Sequence, residues 1–169
     1  MKFKLYFSEY LKFAIIFAVL IIVQVSFIWL IAISNYNITP DLVILLVIYI
    51  GITRGQIPGM ISGFLAGLTM DLLNGSFIGL LALSYSIAGF IAGYFSYTDS
   101  SKSSVKRSII GIMFLCTVVA YSIFFWIYYQ GVSISYGEIF MKFVLTTSIY
   151  TLVFGILLTL FSNIIETKK

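Results

Sequence analysis

The stretch PGMISGFLAGLTMDLLNG, residues 58–75, sets Gly59, Gly63, Gly67, Asp71 and Gly75 four residues apart in an otherwise apolar run. A helix turns once in 3.6 residues, so these positions form one narrow stripe that drifts by about 40° per step. Glycine on such a stripe removes the side-chain bulk between two helices. Their backbones then approach to contact, which is how helices associate in a membrane, where lipid tails are as apolar as leucine. Two partners suit the stripe: the helix that follows, with Gly79 and the GFIAG of Gly89–Gly93, or a helix of a second polypeptide.

The rest of the chain places that stripe in a bilayer. Hydrophobic residues make up 61% of the sequence and charged residues 9%, with a mean hydropathy of +1.10; soluble domains carry about 45–50% and about 25%. The 169 residues fit a single integral membrane domain over 1–169, with about 20 residues per crossing. The fold class expected is all-α, with about six transmembrane helices in a compact bundle, near 11–34, 41–53, 58–73, 77–97, 109–129 and 139–165. The second and third are short for a hydrocarbon core of about 30 Å. An alternative makes them a re-entrant hairpin joined through RGQIPG at 54–59, leaving four crossings. The first run, Phe13 to Ile33, is longer than the apolar region of a secretory signal, about 7–15 residues, and reads as a retained span.

Charge orients the bundle. Six crossings with both termini in the cytoplasm put Lys2, Lys4, Lys12, Arg54, Lys102, Lys106, Arg107, Lys168 and Lys169 on the inner side, and Lys142 alone near the outer one. That is the bias expected of cytoplasmic loops. Basic residues lying between apolar runs, not on one folded face, argue against nucleic acid as a partner. Arg54 marks the cytoplasmic turn between the two short helices, where it orients the chain and meets lipid headgroups. The polar segment Ser96 to Ser108 reads either as a docking loop or as a solvated connection whose basic residues meet anionic lipid.

The chain has no histidine, one cysteine (Cys116) and no GxxxxGK[ST] phosphate loop. No nucleophile–base pair, metal set or nucleotide site can be assembled from these residues, so neither an enzyme nor a cofactor is expected. Asp71 is the residue that demands an explanation, since a carboxylate at mid-bilayer costs about 2.5–3.5 kcal/mol on insertion scales and normally faces protein. It sits towards the outer leaflet, where Asp41 opens the second helix after Pro40 and where Asn74 follows the third. Asp41, Asp71 and Asn74 are therefore a candidate outer-facing polar site. Three roles are open to Asp71: a proton or cation relay, a polar contact with a partner helix, or a device that bonds exposed backbone at the Asn74–Gly75 turn.

Taken in order, Pro40-Asp41, an apolar short helix, Arg54-Gly55, Gly63-Phe64-Leu65-Ala66-Gly67, Asp71-Leu72-Leu73, Gly79-Leu80 and Ala82-Leu83 resemble the MreD family of the bacterial rod-shape and cell-wall elongation complex. The resemblance is strong over about a third of the chain. It departs at Gly75-Ser76-Phe77-Ile78-Gly79, where family members often carry proline before the last glycine. It implies a non-catalytic scaffold in the bacterial cytoplasmic membrane that helps set rod shape. The partner implied is MreC, with MreB, RodA and a class B penicillin-binding transpeptidase in the wider complex; membrane lipids and a second copy of the chain are further candidates. It also implies a fold similar to the substrate-binding subunits of energy-coupling-factor vitamin transporters. Such a subunit is the alternative function, because Ala14-Ile15-Ile16-Phe17-Ala18 fits the contact motif those subunits often carry on their first helix.

Overall fold

The computed structural model describes residues 15–26, 39–75, 77–96 and 105–166. All of their regular structure is helical. Helix α1 is Ile15–Ser26, α2 Leu42–Arg54, α3 Gln56–Asn74, α4 Leu80–Tyr94 and α5 Val105–Tyr128. The short α6, Tyr136–Ile139, runs through a π-helical turn, Phe140–Leu145, into α7, Thr146–Glu166. Two stretches, Ile109–Tyr128 and Tyr136–Leu157, are long and apolar enough to cross a membrane. At 1.5 Å per residue α2 and α4 measure about 20 and 22 Å, whereas α3, expected to be short, has 19 residues and measures about 28 Å. The remainder of the first span expected at 11–34, and most of the polar segment from Ser96, lie outside the described residues.

Helix α2 is the centre of the bundle. Its sequence LVILLVIYIGITR has no polar face, and a helix that is apolar all round buries itself. Val43, Ile44, Leu45, Val47, Ile48, Gly51 and Ile52 are all buried, and α2 packs on α3, α4, α5 and α7. Phe17 and Ile21 bring α1 to the same core.

Helix α3 starts at Gln56, two residues earlier than the breakers in the sequence suggest. Gly55 alone separates it from α2, with φ 98° and its N–H donated to the carbonyl of Gly51. Pro58 then falls in the first turn, where its missing N–H has no partner to lose. At the other end Gly75 adopts the left-handed φ of 63° and closes α3 onto the carbonyl of Asp71, and Gly79 at φ 100° opens α4. Only glycine takes up such angles without strain, so α4 begins at Leu80 and not at Phe77.

Among helices α2 to α7, α3 packs on α2 and α4, and Ile57, Ile61, Phe64 and Leu72 are exposed on its outer face.

Candidate functional site

The glycine stripe of α3 lies against α4. A Cβ placed on Gly59 would strike the backbone of Gly89, one on Gly63 the carbonyl of Tyr85, one on Gly67 the peptide joining Leu81 and Ala82, and one on Gly93 the backbone of Gln56. As the position on α3 rises in steps of four, its opposite on α4 falls in the same steps, so the helices are antiparallel with main chain on main chain. Gly51 of α2 joins them, its added Cβ lying 2.6 Å from the carbonyl oxygen of Gly89.

Asp71 is the next step of that stripe after Gly67. Its side chain therefore points at α4 as the glycines do, but at a level where α4 has just begun and its first amides have no intrahelical acceptor. The carboxylate accepts from the N–H of Gly79 at 2.8 Å, Leu81 at 3.1 Å and Ala82 at 3.3 Å. Gly79, the capping position, has no side chain to do this; Asp71, fully buried, caps α4 from the neighbouring helix, where negative charge also suits the helix dipole.

Asp41 has a parallel place one helix over. As N-cap of α2, its Oδ1 accepts from the N–H of Val43 at 3.0 Å and Ile44 at 3.1 Å. Its Oδ2 accepts from the hydroxyls of Tyr85 in α4 and Tyr121 in α5, the latter at 2.9 Å. Its own N–H donates to Thr151 Oγ1 in α7 at 3.1 Å. Beside it Gln24 of α1 clamps the same turn, donating to the carbonyl of Pro40 at 3.0 Å and accepting from the N–H of Leu42 at 2.9 Å. Five helices are thus tied at one point. Each of these bonds is costly to lose, because the freed group is left largely buried.

Above this knot is a cavity of about 410 Å³. Asp41, Gln24, Thr39, Asn74 and Thr147 supply its polar lining, and Tyr85, Tyr121, Phe124, Tyr128, Tyr129 and Phe143 most of its rings. The rings stack on one another: Phe124 on Tyr128 at 5.6 Å, and Phe143 against Phe125 and Tyr129 at 5.5 and 5.3 Å.

The expected site residues therefore separate into groups. Gly59, Gly63, Gly67, Gly89 and Gly93 share one seam, within the chain. Gly75 and Gly79 do not belong to it; they are turn residues, and a Cβ on either meets nothing within 4 Å. Asp41 and Asn74 reach a common cavity, whereas Asp71 is not among the residues lining it, because the stripe turns it towards α4. Asp71 bonds backbone at the start of α4, from Gly79 to Ala82. Arg54 is exposed in the last turn of α2.

Gln24, Tyr85, Tyr121 and Thr151 are the site residues that sequence reasoning passed over. Gln24 carried a signal, being the single amide in the apolar run IIVQV. The two tyrosines carried none, since tyrosine in an apolar helix reads equally as core or as interfacial belt.

A family model described as rod shape-determining protein MreD matches residues 1–161. No curated protein and no solved structure matches the chain.

Proposed function

The chain belongs to the MreD family of rod shape-determining proteins, and from that premise we propose that it is a non-catalytic membrane scaffold of the cell-wall elongation machinery that binds MreC. Family membership itself makes it a membrane protein that takes part in determining rod shape; it is the observation that carries the reading, since the match spans nearly the whole sequence. MreB, RodA and a class B penicillin-binding transpeptidase complete the assembly proposed, in the cytoplasmic membrane of a bacterium.

The proposal extends to topology. Six helices cross the bilayer, α6 and α7 counting as one through the π turn, both termini are cytoplasmic, and the bundle is of the kind found in energy-coupling-factor substrate-binding subunits. The distribution of lysine and arginine supports the orientation. The two short helices α2 and α4 are tolerable as spans because their neighbours shield them and the bilayer thins locally. The surface offered to MreC lies outside the glycine seam, because α4 already occupies that seam. The outward face of α3, with Ile57, Ile61, Phe64 and Leu72, is the surface we assign to the single transmembrane helix of MreC. Such a contact biases the extracellular part of MreC towards activating wall synthesis without chemistry in this chain.

Purification of the full chain from its native membrane in a mild detergent tests the function. MreC is expected to co-purify in a fixed ratio, with no bound vitamin. A tight, saturable one-to-one complex with a vitamin and no MreC would overturn the scaffold reading in favour of a transport subunit.

A further inference from the structure

The knot at Asp41 explains the tyrosines that bond it, but it does not explain why a cavity of about 410 Å³ stands open beside it. That volume lies in the range of small-molecule sites, about 300–1,000 Å³. The wall is built by a local irregularity. Between Phe140 and Leu145 the helix widens to a π turn, a costly conformation that recurs at functional sites, and this segment and its end bring Phe143 and Thr147 to the cavity.

The lining defines the chemistry that fits. Among the described lining residues Asp41 is the one charged group, and none is lysine or arginine. An anionic ligand would meet a carboxylate with no countercharge among these described residues. A cation would meet that carboxylate beside several aromatic rings, the residue types that recognise ammonium groups. Tyr85 and Tyr121 hold Asp41 in position, so no ordering of the carboxylate is needed on binding. Gln24, Asn74 and the two threonines offer hydrogen bonds to a substituted ammonium, and the rings bury an apolar body.

We propose that this cavity is a binding site for a small organic cation, an ammonium or quaternary ammonium group on an apolar body, held between the Asp41 carboxylate and the rings of Phe124, Tyr128 and Phe143. Such a group reaches the site either as a free solute or as the headgroup of an aminophospholipid. The site does not depend on the scaffold function, and its test reads binding without MreC.

The experiment uses the full chain purified in detergent, with benzyltrimethylammonium as probe, and benzyl alcohol and benzenesulfonate as neutral and anionic controls. The cation is expected to raise the thermal midpoint saturably while the two controls leave it unchanged. Asp41→Asn is expected to weaken probe binding by about tenfold or more. That variant also alters the knot, so Tyr128→Leu and Phe143→Leu, which remove rings without touching the hydrogen bonds of Asp41, are measured beside it and are expected to weaken binding several-fold.

Equal shifts from cation, neutral compound and anion, no shift from any of them, or unchanged binding in both ring variants would overturn the site. The source is read in nanodiscs. If adding phosphatidylethanolamine to phosphatidylglycerol weakens the probe, the headgroup ammonium is the occupant; if the saturable binding persists unaltered, a free cation is. Either of these results supports the site.

Discussion

Gly63→Ala is expected to lower the stability of the folded bundle by about 3 kcal/mol, the upper end of what overpacking usually costs, and Gly63→Leu to leave no monodisperse protein. The added methyl carbon has no free direction to move. It meets the carbonyl group of Tyr85 and the amide nitrogen of Ser86, which are main chain and not the yielding end of a side chain. Relief requires α3 and α4 to separate along their length, which withdraws the backbone contacts of Gly59, Gly67, Gly89 and Gly93 together and moves Asp71 away from the start of α4. Gly111→Ala is the control. It adds the same methyl group within α5 where nothing lies within 4 Å, and alanine is favoured over glycine in a helix by about 1 kcal/mol. Thermal midpoints and monodispersity in one detergent compare the two variants. Equal behaviour would mean that the helices do not touch backbone to backbone.

Asp41→Ala is expected to cost about 3–5 kcal/mol, because several buried donors are left unsatisfied at about 1–3 kcal/mol each, offset in part by the charge no longer being buried. Four donors lose their acceptor at once: the amides of Val43 and Ile44 and the hydroxyls of Tyr85 and Tyr121. The effect is large because the groups left behind remain buried, Tyr85 at 1% and Tyr121 at 5% exposure. Tyr85→Phe in the Asp41→Ala background is expected to recover part of the loss by deleting one orphaned hydroxyl, whereas Tyr85→Phe alone is destabilising. A double-mutant cycle reads that change of sign as coupling. Asp71→Ala, which removes the cap of α4, is expected to cost about 1–2 kcal/mol, and Asp71→Asn less, since a carboxamide keeps one acceptor oxygen. Additive behaviour of positions 41 and 85 would contradict the knot.

How far these features are legible in the sequence follows from the range of the interactions. The period of four from Gly59 to Asp71 lies on one helix, so the stripe and its packing chemistry are readable at once. What covers the stripe is not readable, because that depends on where α4 begins, and α4 begins where Gly75 and Gly79 place it. Spacing alone puts the same two glycines with the stripe, since it does not separate a packing glycine from a turn glycine. Asp71 is visible as an expensive carboxylate, but its partners are set by the antiparallel register, which leaves it one step past the last glycine facing α4. Asp41 is recognisable as a helix start from Pro40-Asp41. Its bonds to Tyr85, Tyr121 and Thr151 span 44, 80 and 110 residues, and no local pattern announces contacts at that range. The ordered motif from Pro40 to Leu83 points to the family whose model matches residues 1–161, although composition and periodicity alone lead only to a membrane packing or binding module.

Helix α3 has an inner face packed on α4, and its outer face is the one we propose for MreC. A photoreactive residue placed in cells at Ile57, Ile61, Phe64 and Leu72 of α3, and at Leu83, Phe90 and Tyr94 of α4, tests that division most directly. All seven are exposed side chains, so the substitutions spare the seam. Adducts with MreC are expected at the α3 positions, recurring every three or four residues as one helical face requires. Cells that keep their rod shape while none of these positions captures MreC would contradict it.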